Sequence, residues 1–241
     1  MIYNYMIDIL YIVGTGSHWN NYELRYSLRT LEKYGKNIGR VFVSGANPGF
    51  LSDEIIYTNI PDIDIFSVNH WYKVSETFKK TNISDNCLYM MDDLFFNKEV
   101  DLENYPYYYK NELQPTYQID RRYNRCLQNT YKVLKENNKD VKNFGVHCPI
   151  IYNRQKFLDM KVDEYRKLDG FISPRSYYCN MYDIEGVKRD DLKIRSLSNG
   201  VLELKEKIKN VDCWSISDSV INQGVSLFLV NNFKNKSKYE R

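Results

Sequence analysis

The chain has 241 residues, enough for one large α/β unit, and its 43% hydrophobic and 27% charged residues exclude a largely disordered polypeptide. Its 34 Lys and Arg nearly offset 31 Asp and Glu for a formal charge of +3, so bulk electrostatics neither demand nor forbid a polyanionic partner, and any basic surface has to be local. The five Cys, at 87, 126, 148, 179 and 213, contain no C-x-x-C pair and are odd in number; neither a zinc knuckle nor a complete disulfide framework is expected, and a reducing, cytoplasmic setting is.

The opening MIYNYMIDILYIVG is apolar, but it lacks a basic start, carries Asp8 and falls short of the roughly 20 residues of a membrane span. It reads as a first buried strand, with no transmembrane segment expected. The loop GTGSHWNN follows, and then NNYELRYSLRTLEKYG reads as a helix: Leu24, Leu28 and Leu31 fall at i, i+4, i+7, Asn20 or Asn21 can cap it, and Gly35 can end it. RVFVSG supplies a second strand, EIIYTNIPDIDIF one or two short strands, and His70 to about Lys80 a helix. The strand CLYMM then runs into Asp92 and Asp93. Strand, helix, strand implies a βαβ unit.

Beyond the Tyr-rich segment Tyr105 to Tyr117, RRYNRCLQNTYKVLKENN reads as an amphipathic helix and FGVHCPIIYNRQKFLDM as a strand pair feeding a helix. SPRSYYCNMY reads as a Pro-started helix and SDSVINQGVSLFLVNNF as a closing one. No repeat or low-complexity linker divides the chain. The expectation is a single α/β domain with a mixed sheet flanked by helices, residues 1–110 forming a donor-binding half and 111–241 an acceptor-side half.

Asp92 and Asp93 interrupt an otherwise buried stretch at the end of a strand, where open α/β sheets place ligand sites. Adjacent carboxylates repel unless a cation neutralises them; Mg²⁺ or Mn²⁺, shared with substrate phosphates, is the economical partner. A turn cap is the plain alternative. Arg25 and Arg29, at i and i+4, project from one helix face and suit phosphate oxygens, or else a solvated face. The Gly14 to Ser17 loop before that helix offers backbone N–H groups, and Lys73 is a candidate to face substrate. His147, in an apolar run, is either a core histidine or a third metal ligand. Asp218 and Asp169 are candidates for a catalytic base or for an electrostatic partner of a departing phosphate, Asp218 being equally suited to cap a helix.

The blocks IDILYIVGTGS, NNYELRYSLRTLEKYGKNIGRVFVSGANPGFL and CLYMMDDLFF, within residues 7–97, resemble successive motifs of the Stealth proteins. These are sugar-phosphate transferases related to nucleotide-sugar glycosyltransferases of the GT-A fold. HCPIIYNRQKF, RSYYCNMY and SISD are similar to segments of small glycosyltransferase-like proteins of phages and prophages. The resemblance implies a GT-A-like fold, Asp92 and Asp93 as the metal-binding acidic motif, Arg25 and Arg29 near the donor, and Ser17 in the donor loop. The chain departs from the family where it reads YIVGTGS in place of YTWVNG.

These readings converge on a metal-dependent glycosyltransferase using a nucleotide-sugar donor and a glycan or modified phage-DNA acceptor. Sugar-1-phosphate transfer is the enzymatic alternative. A non-catalytic module that stacks glycan or nucleic acid on the Tyr-rich segment is the alternative of another class; Arg121, Arg122, Arg125 and Lys132, on one predicted helical segment, either meet the phosphates of a DNA acceptor or form a solvated face.

Overall fold

The computed structural model of the chain describes residues 6–63, 67–118 and 121–241. The first half runs β1 (Ile7–Val13), α1 (Tyr22–Tyr34), β2 (Gly35–Lys36), β3 (Ile38–Gly45), β4 (Ile55–Thr58), α2 (Ser67–Lys80), β5 (Asn86–Met91), β6 (Leu94–Phe96), β7 (Val100–Asp101) and β8 (Tyr108–Tyr109). The second continues with α3 (Arg122–Glu136), β9 (Ile150–Asn153), α4 (Arg154–Leu158), α5 (Pro174–Met181), β10 (Val187–Lys188), β11 (Lys193–Ile194), α6 (Gly200–Ile208), β12 (Cys213–Ile216) and α7 (Val225–Asn232). Residues 1–5 of the expected first strand and 64–66 of the run after β4 lie outside the described residues.

The central sheet has the order β4-β3-β1-β5-β9. Its first four strands are parallel, and β9 is antiparallel to β5. Strand periodicity explains why the strands read as continuous apolar runs: both faces of the sheet are covered. Leu10, Phe42, Cys87, Tyr89 and Tyr152 face a core shared with Val74 and Phe78 of α2, Leu134 of α3, Phe157 of α4 and Tyr178 of α5. Their neighbours Ile9, Tyr11, Val41, Val43, Leu88 and Met90 face the other core, which the α1 stripe Leu24, Leu28 and Leu31 closes. A smaller sheet, β11-β12-β6, lies with α6 and α7 around Phe95 and Trp214.

Segments 1–110 and 111–241, expected as two halves of one domain, interlock. β9 pairs with β5, and β12 pairs with β6. The Tyr-rich segment stitches them further: Tyr105 is buried and donates to Asp212 (3.2 Å), and Tyr107 donates to the Ile151 carbonyl (2.9 Å). Tyr105 is therefore a packing element, while Tyr107, Tyr108, Tyr109 and Tyr117 are only partly buried. All five cysteines are buried and unpaired, and among the described residues no helix is long and apolar enough to cross a membrane.

Three local expectations differ from the outcome. Asn21 flanks α1 in the left-handed region (φ 58°) and its side chain caps nothing; the Ser17 hydroxyl accepts from the Trp19 and Asn21 amides instead. Residues 144–149 form no strand, so a single strand, β9, feeds α4. The closing helix breaks at Gly224 (φ 111°): a 3₁₀ turn, Asp218–Gln223, precedes α7, because a left-handed residue cannot continue the helix.

Candidate functional site

The parallel strands β1 and β5 end side by side, with Ile12 opposite Met91. Beyond their carboxyl ends lies a cleft of about 390 Å³, bordered by the Gly14 to Ser17 loop, Glu23, Asp92, Asp93, Lys193 and Asp218. Each wall is positioned by identifiable bonds. Asp92 and Asp93 form the tight turn between β5 and β6. Just past that turn the Ser27 hydroxyl of α1 donates to the Leu94 carbonyl (2.5 Å) and Thr30 Oγ1 accepts from the Phe96 amide (3.1 Å), so α1 clamps β6 and fixes where the acids point. The loop is tied from below. Asp62 accepts from the Thr15 amide and hydroxyl (3.1 and 2.7 Å), and buried Lys73 donates to Asp62 (2.6 Å) and to the Val13 carbonyl (2.7 Å).

Among the described residues, four carboxylates thus share one cleft with a single lining cation, Lys193, whose Nζ lies 3.0 Å from Asp93 Oδ2. Burial raises the Asp92 carboxyl well above the ordinary range, the charges of Asp93 and Glu23 push it further, and Lys193 offsets them only in part. Glu23 is raised for the same reason, burial first, with Ser17 opposing and Asp218 and Asp93 adding to it. Only 5% of Glu23 is exposed, and its Oε2 is buried without a hydrogen-bond partner. A buried, orphaned carboxylate oxygen in an already negative cleft is costly unless a cation compensates it.

The residues suit a divalent ion on these grounds. Among the described residues no three His, Cys, Asp or Glu side chains are drawn together into a ready-made metal group. A hard ion that keeps waters and substrate phosphates needs only one or two protein carboxylates. Asp92 and Asp93 would supply them, with Glu23 and Asp218 at hand in the same cleft.

Gly14, Ser17, Asp92, Asp93 and Asp218 are therefore brought together as the sequence led us to expect. Others are placed elsewhere. Arg29 is buried against the C-terminal segment, its Nε and Nη2 donating to both Glu240 oxygens (2.8 and 2.7 Å) and its Nη1 to the Phe233 carbonyl. Arg25 lies over the Phe50 ring with its Nε 3.4 Å from Glu240. Neither lines the cleft; their face of α1 is covered by the chain's own carboxylate. Lys73 is a strut beneath the Gly14 to Ser17 loop and not a wall residue. Asp169 is exposed and pairs with Arg125 (2.8 Å), lining neither this cleft nor its neighbour.

That neighbour is a cavity of about 260 Å³ on the other side of the β5 end, where Met91 forms one wall and His70, His147 and Arg175 others. His147 sits within reach of the Asp93 and Lys193 charges, but its Nδ1 is 2.8 Å from Asp191 Oδ1, which also accepts the His147 amide (3.1 Å). Burial pushes the imidazole below its ordinary value despite Asp191. The result is a neutral ring whose Nδ1–H donates to Asp191, leaving Nε2 as a lone-pair nitrogen.

Glu23, Lys193, Asp191 and Arg175 escaped the sequence reading. For Glu23 a signal existed: Glu23, Ser27 and Thr30 form a polar i, i+4, i+7 stripe beside the leucines. Asp191 and Lys193 come from short segments with no periodicity, and Arg175, on the anticipated helix α5, is singled out only by its surroundings. Set against protein-family models and against curated proteins, the chain matches none.

Proposed function

We propose that this chain is a metal-dependent glycosyltransferase with a GT-A-like fold that moves a sugar from a nucleotide-sugar donor to an acceptor hydroxyl. One observation carries the reading: four carboxylates, one of them orphaned and buried, converge with a tethered glycine-containing loop at the carboxyl ends of β1 and β5. Such a cleft repels a bare diphosphate and accepts a metal-bound one. The mixed sheet order and the resemblance to Stealth-like transferases support the same assignment, and five buried, unpaired cysteines suit a cytoplasmic enzyme.

A divalent ion held by Asp92 and Asp93 would neutralise the charge that grows on the departing nucleoside diphosphate. The chain's own groups do the rest. Lys193 adds a positive charge beside Asp93, and the Gly16 and Ser17 amides of the loop bordering the cleft would donate to donor oxygens. The Asp191–His147 pair takes the place that Asp218 or Asp169 was expected to fill. His147 Nε2 accepts the acceptor hydroxyl proton as that oxygen attacks the anomeric carbon and the carbon–phosphate oxygen bond breaks, and Asp191 steadies the imidazolium that results. Asp218, at the far wall, holds charge at the metal side of the cleft.

The test is a panel of nucleotide sugars incubated with Mn²⁺ and read by mass spectrometry. Release of nucleoside diphosphate, abolished by chelator and by Asp93→Ala in a folded protein, supports the proposal. Metal-independent turnover, or turnover intact in Asp93→Ala, refutes it. A product that keeps a phosphodiester assigns sugar-phosphate transfer to the same cleft.

A further inference from the structure

The second cavity differs from the first in the sign of its charge. Among the described residues no Asp or Glu lines it. Arg175 does, and it is only 7% exposed. Its Nη2 donates to the Cys148 carbonyl (2.8 Å) and lies 3.8 Å from the Cys148 sulfur, while its Nε is buried with no partner. Among the described residues no carboxylate forms an ion pair with it. Burying a guanidinium this way costs free energy that neighbouring carbonyls return only in part; the fold pairs its other buried arginine, Arg29, with a carboxylate.

Two further features point the same way. α5 begins at this cavity: Ser173, Pro174 and Arg175 line it, so the positive end of an eight-residue helix faces inward. His70, stacked on Tyr89 at 4.5 Å and held by Tyr152 (3.3 Å), lines it as well, its value lowered to about 3 by burial and by the charge of Arg175. His70 is therefore neutral, which leaves Arg175 as the charged group lining the cavity among the described residues. His147 stands on the same wall.

We propose that this cavity is an anion site in which Arg175 binds a phosphate or carboxylate carried by the acceptor, placing the acceptor hydroxyl at His147. The word acceptor rests on the transferase reading; the anion site itself stands on Arg175, α5 and the lack of a lining acid among the described residues. A guanidinium fork matches both oxyanions.

Inorganic phosphate and acetate are titrated in separate arms into the metal-free protein, held so with chelator, while the imidazole NMR signals of the chain's three histidines are followed. His70 is the reporter because it lines this cavity and not the acidic cleft. A saturable shift of His70, weakened at least tenfold in Arg175→Met and less in Arg175→Lys, establishes the site. The arm that saturates at lower concentration names the acceptor chemistry. Arg175→Met is also expected to melt no lower than wild type, since it removes a buried charge that lacks a counterion; a fall of several degrees assigns Arg175 to the fold and overturns the proposal. So does an unsaturable titration in both arms, or one that Arg175→Met leaves unchanged. Failure here with Mn²⁺-dependent donor turnover intact removes the anion site alone. A clean titration without any donor turnover keeps the site and removes the transferase reading.

Discussion

Replacing Asp92 by Asn removes one of four crowded carboxylates while keeping side-chain shape. In the metal-free protein the folded Asp92 binds its proton more tightly than the unfolded chain does, because burial and the Asp93 and Glu23 charges raise it above 3.8. Between 3.8 and the raised folded value the native state therefore holds more protons than the unfolded one, and stability falls as pH rises. Asp92→Asn should cancel this loss: its melting temperature, equal to wild type below pH 3.8, should exceed it increasingly as pH climbs from there toward the raised folded value. Mn²⁺ reverses the order. At about 100 times its dissociation constant a ligand specific for the native state adds about 2.7 kcal/mol. At about 2–4 °C per kcal/mol for a chain this size, that raises the wild-type midpoint by about 5–10 °C. The variant, short of one ligand, should gain less than half of that. Thermal melts across pH with and without Mn²⁺ decide it; a variant that is less stable than wild type in chelator at pH 7, or equally stabilised by Mn²⁺, would refute the reasoning.

His147→Ala should lower kcat by roughly 10²–10⁴-fold, the usual weight of a general base, with donor KM little changed; an unchanged kcat in steady-state assays removes the base from His147. Lys73→Met leaves Asp62 facing a lost partner beneath the Gly14 to Ser17 loop. Breaking a buried pair costs about 3–5 kcal/mol, and since a quarter of the Asp62 side chain is exposed the lower end is expected in urea unfolding. Glu240 is held below its ordinary 4.5 by Arg29 and the Ser237 amide, against its own burial. Its contribution is thus present above pH 4.5 and fades as pH falls through the folded value. Glu240→Gln should destabilise at pH 7 and shrink the difference from wild type in acid; equal differences at pH 7 and pH 3 would contradict the pairing.

The strands, α1 and the turn bearing Asp92 and Asp93 were legible because they express short-range rules. Burial on both faces writes β1, β3 and β5 as apolar runs, the 3.6-residue repeat writes Leu24, Leu28 and Leu31, and two adjacent acids at a strand end announce themselves. Arg25 and Arg29 show where such reading stops. An i, i+4 arginine pair looks the same whether it faces a phosphate or Glu240, and only the fold reveals that residues 233–241 return to cover it. Asp191 and His147 are 44 residues apart and meet only through the packing of β9, α5 and the segment before β11. His147 could be noticed as a histidine in an apolar run, but the partner that turns it from ligand to base candidate could not. Arg175 was invisible for a different reason. Its meaning lies in what is missing around it, and an unpaired charge is a property of three-dimensional surroundings alone.

The claim on which the account depends is that Asp92 and Asp93 hold a divalent ion against a nucleoside diphosphate. Mn²⁺ titration by electron paramagnetic resonance, with and without uridine diphosphate, measures this directly in wild type and in the Asp92→Asn, Asp93→Asn double variant. Wild type should bind one Mn²⁺ per chain, at least tenfold more tightly with the diphosphate present, and the folded double variant should lose that site. Equal Mn²⁺ binding by both proteins, or binding that the diphosphate leaves unaltered, would contradict it.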